Sequence, residues 1–271
     1  LNPVSIDLLL AAAAFGDRPG TWPLPTATTP DQLWLRAVAC GGQGRYGAAY
    51  QDLAALRRGS PGRLVSLAHS AQGSFLRQLG WHSLARGWDG RALALAGTDP
   101  EARADALIGL AADALGVGRF AAAATLLARA ERVLTSEPVP DRLPVRRGWV
   151  AAELAMACGD GRTAVGHATE AVGLAQAMGL KTGRTSARHR VKSDVVLAAA
   201  LCSAGNIEPA REVAWAALED TGRLGLLPLR WALACLLIDI GSVTVSRRKL
   251  LQIRDICAGQ IRHAGGTWRS A

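Results

Sequence analysis

Six glycines divide most of this chain into segments of similar length. Gly44, Gly80, Gly118, Gly159, Gly205 and Gly241 each follow one apolar stretch and precede another, at spacings of 36, 38, 41, 46 and 36 residues. Positions counted from them repeat in kind. Five residues after each glycine stand Ala49, Ala85, Ala123, Ala164, Ala210 and Ser246, and seven before stand Ala37, Gly73, Ala111, Ala152, Ala198 and Ala234. Twelve after stand Leu56, Ala92, Ala130, Ala171, Ala217 and Ile253. Ala and Gly make up roughly three in ten residues, so one offset filled by small residues is cheap, but three offsets in agreement are the mark of an internal repeat.

The pattern has a physical reading. A glycine at the end of a helix adopts the left-handed conformation that stops it. A second helix then starts a few residues later, and small residues at the crossing let the two helices approach closely. Within a unit the apolar spacing is helical: Leu107, Leu110, Ala111 and Ala114 fall at i, i+3, i+4 and i+7. Strand formers do not alternate anywhere. The expectation is an all-α chain of about six helix–turn–helix units, at about 30–61, 63–98, 100–135, 142–179, 185–222 and 226–264. These make one domain over 30–265. Residues 1–29 read as a short helix over 4–15 and a Pro- and Thr-rich linker from Arg18 to Pro30, and 266–271 read as a tail.

The residues Gly118-Arg119-Phe120 with Ala123 and Ala130, and Gly44-Arg45-Tyr46 with Ala49 and Pro61, carry a resemblance to tetratricopeptide repeats. It covers about residues 30–265. It implies a right-handed superhelical stack whose first helices line a concave face. The chain departs from that family in its long spacings, in the missing terminal prolines, in His82 at a turn position and in Ser246 in place of alanine.

The formal charge is +9, which suits nucleic acid, an anionic membrane or an acidic partner. Of 31 basic residues only Lys181, Lys192 and Lys249 are lysines, leaving 28 arginines, as the coding bias of a GC-rich bacterial genome would produce. Both origins of the charge stand. Cys40, Cys158, Cys202, Cys235 and Cys257 are odd in number and widely spaced, which argues against a disulfide framework or zinc site and for a reducing, cytoplasmic setting. The apolar run from Ile6 to Phe15 lacks the basic start of a secretory signal and is interrupted by Asp7. Residue 1 is Leu rather than Met, so an N-terminal region is expected to be missing or an alternative codon used.

Motifs that suggest chemistry fail on context. Gly42-Gln43-Gly44-Arg45-Tyr46-Gly47 matches a dinucleotide fingerprint literally, but a helix and not a strand is expected before it. His69, His82, His167, His189 and His263 form no close metal-ligand pair, and no nucleophile motif is present. No enzyme activity, cofactor or metal is expected.

Two groups of residues point to binding. Trp34, Trp149 and Trp231 each lie ten residues before their glycine, where the other units hold Ser70, Ile108 and Val195. In the family register that place faces the groove, although a shift of one residue would put the tryptophans between helices. Arg146, Arg188, His189 and Lys192 lie near the start of the first helices of the fourth and fifth units. They offer either carboxylate recognition, as guanidinium groups can give in a bidentate manner, or a solvated basic helix end. The functional expectation is a non-catalytic, intracellular scaffold that binds a peptide or protein segment in its groove, an acidic one suiting the charge. The alternative is a regulatory or ligand-sensing repeat module linked to transcription or nucleic acid, to which Arg247-Arg248-Lys249 would contribute.

Overall fold

The computed structural model describes residues 3–182 and 185–269, and every regular element among them is a helix. The first, α1 (Pro3–Phe15), precedes six pairs: α2 (Pro30–Gly42) with α3 (Tyr46–Leu56), α4 (Arg63–Gln78) with α5 (His82–Leu95), and α6 (Pro100–Gly116) with α7 (Phe120–Ser136). Then come α8 (Arg142–Ala157) with α9 (Gly161–Thr182), α10 (Ala187–Ser203) with α11 (Ile207–Arg223), and α12 (Leu227–Ile240) with α13 (Arg247–His263). The all-α expectation holds, and each pair straddles one of the six glycines.

Five of the turns share one hydrogen-bonded form. Gly44, Gly80, Gly118, Gly159 and Gly205 have φ between 75° and 89°. The amide of the next residue reaches back five positions: Arg45 to Cys40, Trp81 to Leu76, Arg119 to Ala114, Asp160 to Ala155 and Asn206 to Leu201, all at 2.8–2.9 Å. This closes the orphan carbonyls at a helix end and requires positive φ at the glycine. The sixth turn departs. After Gly241 the second helix starts six residues on, and the Arg211 guanidinium caps the carbonyls of Ile240 and Gly241. Ser246 is therefore the N-cap of α13, its hydroxyl accepting from the Lys249 amide, and not a packed small residue.

Small residues at the repeated offsets sit where helices cross. Ala49, Ala85, Ala123, Ala164 and Ala210 are buried, as are Ala37, Ala111, Ala152, Ala198 and Ala234. Gly73 has a sharper reason: a Cβ there would lie 2.4 Å from a carboxylate oxygen of Asp89, and one at Gly109 would meet the other oxygen at 2.4 Å. A buried aspartate thus occupies the space two glycines leave between α4, α5 and α6.

Each helix packs on the next in sequence, and the first helices of successive pairs also pack on one another, α2 on α4, α4 on α6, α6 on α8, α8 on α10 and α10 on α12. The row then meets its own beginning. Ile261 of α13 joins the core cluster formed by Trp34, Tyr46, Leu53 and Phe75 of the first two pairs. Residues 264–269 run along those pairs: Gly47 donates to Ala264 O at 2.8 Å, Arg269 to Leu79 O at 2.9 Å, and the Trp81 indole to Thr267 O at 2.7 Å. On the other side α1 packs against α2 and touches α10, with the Ala187 amide donating to Gly16 O at 3.0 Å.

Candidate functional site

Because the first helices pack side by side and the ends meet, the inner faces of α2, α4, α6, α8, α10 and α12 surround one cavity of about 390 Å³, with Phe15 of α1 also in its wall. All seven residues singled out from the sequence line it: Trp34, Arg146, Trp149, Arg188, His189, Lys192 and Trp231. Ser70 and Ile108, at the tryptophan offset in the second and third units, line it too. Val195 does not, and instead packs in the apolar cluster between the last two pairs.

The tryptophans answer both readings of their offset. Trp34 is 8% exposed and belongs to the core cluster while one face borders the cavity. Trp149 is half-buried and fixed by its indole N–H donating to Ser193 Oγ at 2.8 Å. Trp231 packs against Trp268, centroids 4.4 Å apart and the rings tilted by 34°, so the closing segment supports a cavity wall. Rings continue along one side: Trp34 lies 5.2 Å from Phe15, Phe15 6.1 Å from His189, and His189 5.5 Å from Trp149, nearly parallel.

His189 is buried, with Nδ1 2.7 Å from Ser186 Oγ. Burial, together with the cations Arg188, Arg142 and Arg146, holds its pKa well below the usual value, so the ring is neutral. It serves as an aromatic wall and hydrogen-bonding group.

The basic residues are not equally free. A chain of ion pairs runs from unit to unit: Asp31 to Arg63 at 3.0 Å, Arg63 to Glu101 at 3.1 Å, Glu101 to Arg142 at 2.8 Å, Arg142 to Asp105 at 3.0 Å, and Asp105 to Arg146. Lys192 faces Glu153 at 3.5 Å and lies over the Trp149 ring. Arg77, also in the wall, is shared by the buried Asp89 and Asp113. Arg188 has no carboxylate and no hydrogen bond among the described residues; its guanidinium lies 5.7 Å from the Phe15 ring centre. Its stem crosses to α2, where a Cβ on Gly42 would come within 3.1 Å of Arg188 Cδ. Burial, reinforced by Arg142, pushes the Arg188 pKa down to about 10, which leaves it charged at neutral pH. The expected three-residue clamp of Arg146, Arg188 and Lys192 therefore becomes one cation without a carboxylate among the described residues, because Asp105 and Glu153 engage the other two.

Sequence reasoning missed Phe15, Arg77, Arg142 and Glu153. A signal existed for one of them. Arg142 and Arg188 both stand seventeen residues before their glycine, and Arg146 and Lys192 both thirteen before. Phe15 lies outside the repeat, where no offset points to it.

Among the described residues no group of His, Cys, Asp and Glu converges as a metal site, and no helix is long and apolar enough to cross a membrane. Gly42 to Gly47 forms the α2–α3 turn, not a phosphate-binding strand–helix junction. Cys158 is exposed at the end of α8, whereas Cys40 and Cys257 are buried. No family model matches the chain, and no curated protein matches it.

Proposed function

We propose that this chain is a non-catalytic recognition module built from tetratricopeptide-like repeats, and that its ligand is held inside the ring of first helices. One observation supports this most: all six units line one cavity, and five of them, every one but the third, bring aromatic or cationic side chains to it. Such a cavity, mainly apolar with a few placed polar groups, has the usual character and size of a small-molecule site. The closure of the last pair onto the first favours the ligand-sensing form of this reading over a long open groove. The repeat type itself rests on the turn glycines and small-residue offsets.

A second reading, a scaffold that takes the end of a peptide, draws support from Trp149 and Trp231, which are half-buried in the wall as aromatic anchors are at peptide sites. Affinity capture from a host lysate, with metabolites and proteins both identified by mass spectrometry, separates the two. Capture of a small molecule by the wild type and its loss from Trp149→Ala/Trp231→Ala supports the ligand-sensing form. Loss of a protein instead supports the scaffold. Identical captures by wild type and variant would contradict both.

A further inference from the structure

We propose that the cavity takes a small organic monocarboxylate bearing an aromatic ring, with Arg188 receiving the carboxylate. The proposal rests on the reading of the cavity as a ligand site and names the ligand's chemistry.

The first argument is charge. Five cations, Arg77, Arg142, Arg146, Arg188 and Lys192, line the cavity. Four of them meet acids of the protein, and Arg188 meets none among the described residues. A half-buried guanidinium on the cavity wall is open to a ligand, and a carboxylate can engage it through two parallel N–H···O bonds. One unpartnered cation calls for one negative charge. A phosphate dianion or an acidic peptide would bring charge that Asp105 and Glu153, themselves in the wall, repel.

The second argument is the wall beside Arg188. Phe15, Trp34, His189 and Trp149 form a run of rings, and His189 is neutral, so this side is a face for stacking rather than a second cationic site. The volume of about 390 Å³ admits one or two fused rings with a short acid side chain and excludes a folded peptide.

The test is titration of the whole chain with 2-naphthoate, indole-3-acetate and phenylacetate, read by tryptophan fluorescence and calorimetry. Controls are the matching amides, 2-naphthyl phosphate and an acidic hexapeptide. At least one carboxylate is expected to bind 10- to 100-fold more tightly than its amide, the range a charge-assisted pair supplies. Arg188→Gln is expected to abolish that preference and Arg188→Lys to retain part of it, with helix content unchanged by circular dichroism. Equal binding of acid and amide, an unchanged preference in Arg188→Gln, or tighter binding of the phosphate or the peptide would overturn the monocarboxylate while leaving a ligand cavity in place. If neither acids nor amides bind, both this proposal and the ligand-cavity reading beneath it fail.

Discussion

Arg142 and Arg188 occupy the same place in successive units, seventeen residues before their turn glycines, yet among the described residues only Arg142 of the two meets carboxylates, those of Glu101 and Asp105 at 2.8 and 3.0 Å. The third unit holds Glu101 at that offset and Asp105 four residues later, one turn along the same helix face, so acids stand beside the fourth unit. The fourth unit offers the fifth only Arg142 and Arg146 at those places. That Arg188 goes without a carboxylate is thus a product of repeat order.

This difference predicts opposite effects of the same substitution. Arg188→Met removes a half-buried charge that has no carboxylate partner among the described residues, and is expected to raise the stability of the ligand-free protein by less than about 1 kcal/mol. Arg142→Met is expected to cost about 2 kcal/mol, since Glu101 and Asp105 each lose a partner and keep another. Urea unfolding of both variants checks this, and destabilisation by Arg188→Met would mean that the protein already partners that charge.

The turn glycines predict a second contrast. Gly118 has φ 75° and no atom within 4 Å of where a Cβ would sit, so Gly118→Ala meets backbone strain alone and should cost about 1–2 kcal/mol. Gly173, inside α9 and equally uncrowded, should gain about 0.5–1 kcal/mol on Gly173→Ala. Gly109→Ala forces a Cβ against the buried Asp89 carboxylate and should be the worst of the three. Thermal unfolding ranks them.

The third prediction concerns pH. Asp89 and Asp113 share the Arg77 guanidinium, and burial first of all pushes the Asp89 pKa up to about 7. In the unfolded chain an aspartate titrates near 3.9, so between roughly pH 4 and 7 the folded state holds a proton that the unfolded state has released. The stability Asp89 contributes is full below that window and is lost as pH rises to about 7. Neutral His189 has the opposite sign and withdraws stability as pH falls below about 6.5. Subtraction removes the His189 contribution and leaves that of the interacting Asp89–Asp113 pair: the stability of the wild type minus that of Asp89→Asn should fall by on the order of 2 kcal/mol from pH 5 to 7 and level off above. A difference that stays constant with pH would contradict the raised pKa of Asp89.

A fourth prediction tests the closure. Trp268→Ala removes the ring packed against Trp231 and should cost about 2 kcal/mol, combining a half-buried aromatic with its ring pair. Hydrogen exchange should quicken at Gly47, whose amide is held by Ala264 O, before it quickens in α6 to α9.

Much of the architecture could be read from local rules. A left-handed glycine is visible as a residue type, and small residues at crossings recur because every unit solves the same packing problem. The cavity wall followed from the same count, because Trp34, Trp149 and Trp231 share one offset. Two features could not be read this way. The meeting of the ends depends on Ala264 and Thr267 reaching Gly47 and Trp81, 217 and 186 residues earlier, and no periodic signal records such contacts. The pairing of each cation depends on side-chain geometry between neighbouring units, so Arg146 and Lys192 looked as free as Arg188 until Asp105 and Glu153 were placed beside them.

The central claim, that ligand binds within the ring of first helices, is tested most directly by the indole N–H signals of the eight tryptophans in a two-dimensional ¹H–¹⁵N spectrum, recorded with and without 2-naphthoate. The expected result is that Trp34, Trp149 and Trp231, which line the cavity, shift on titration while Trp88 and Trp215, which do not, stay in place. Shifts at Trp88 or Trp215, with the three cavity indoles unmoved, would contradict it.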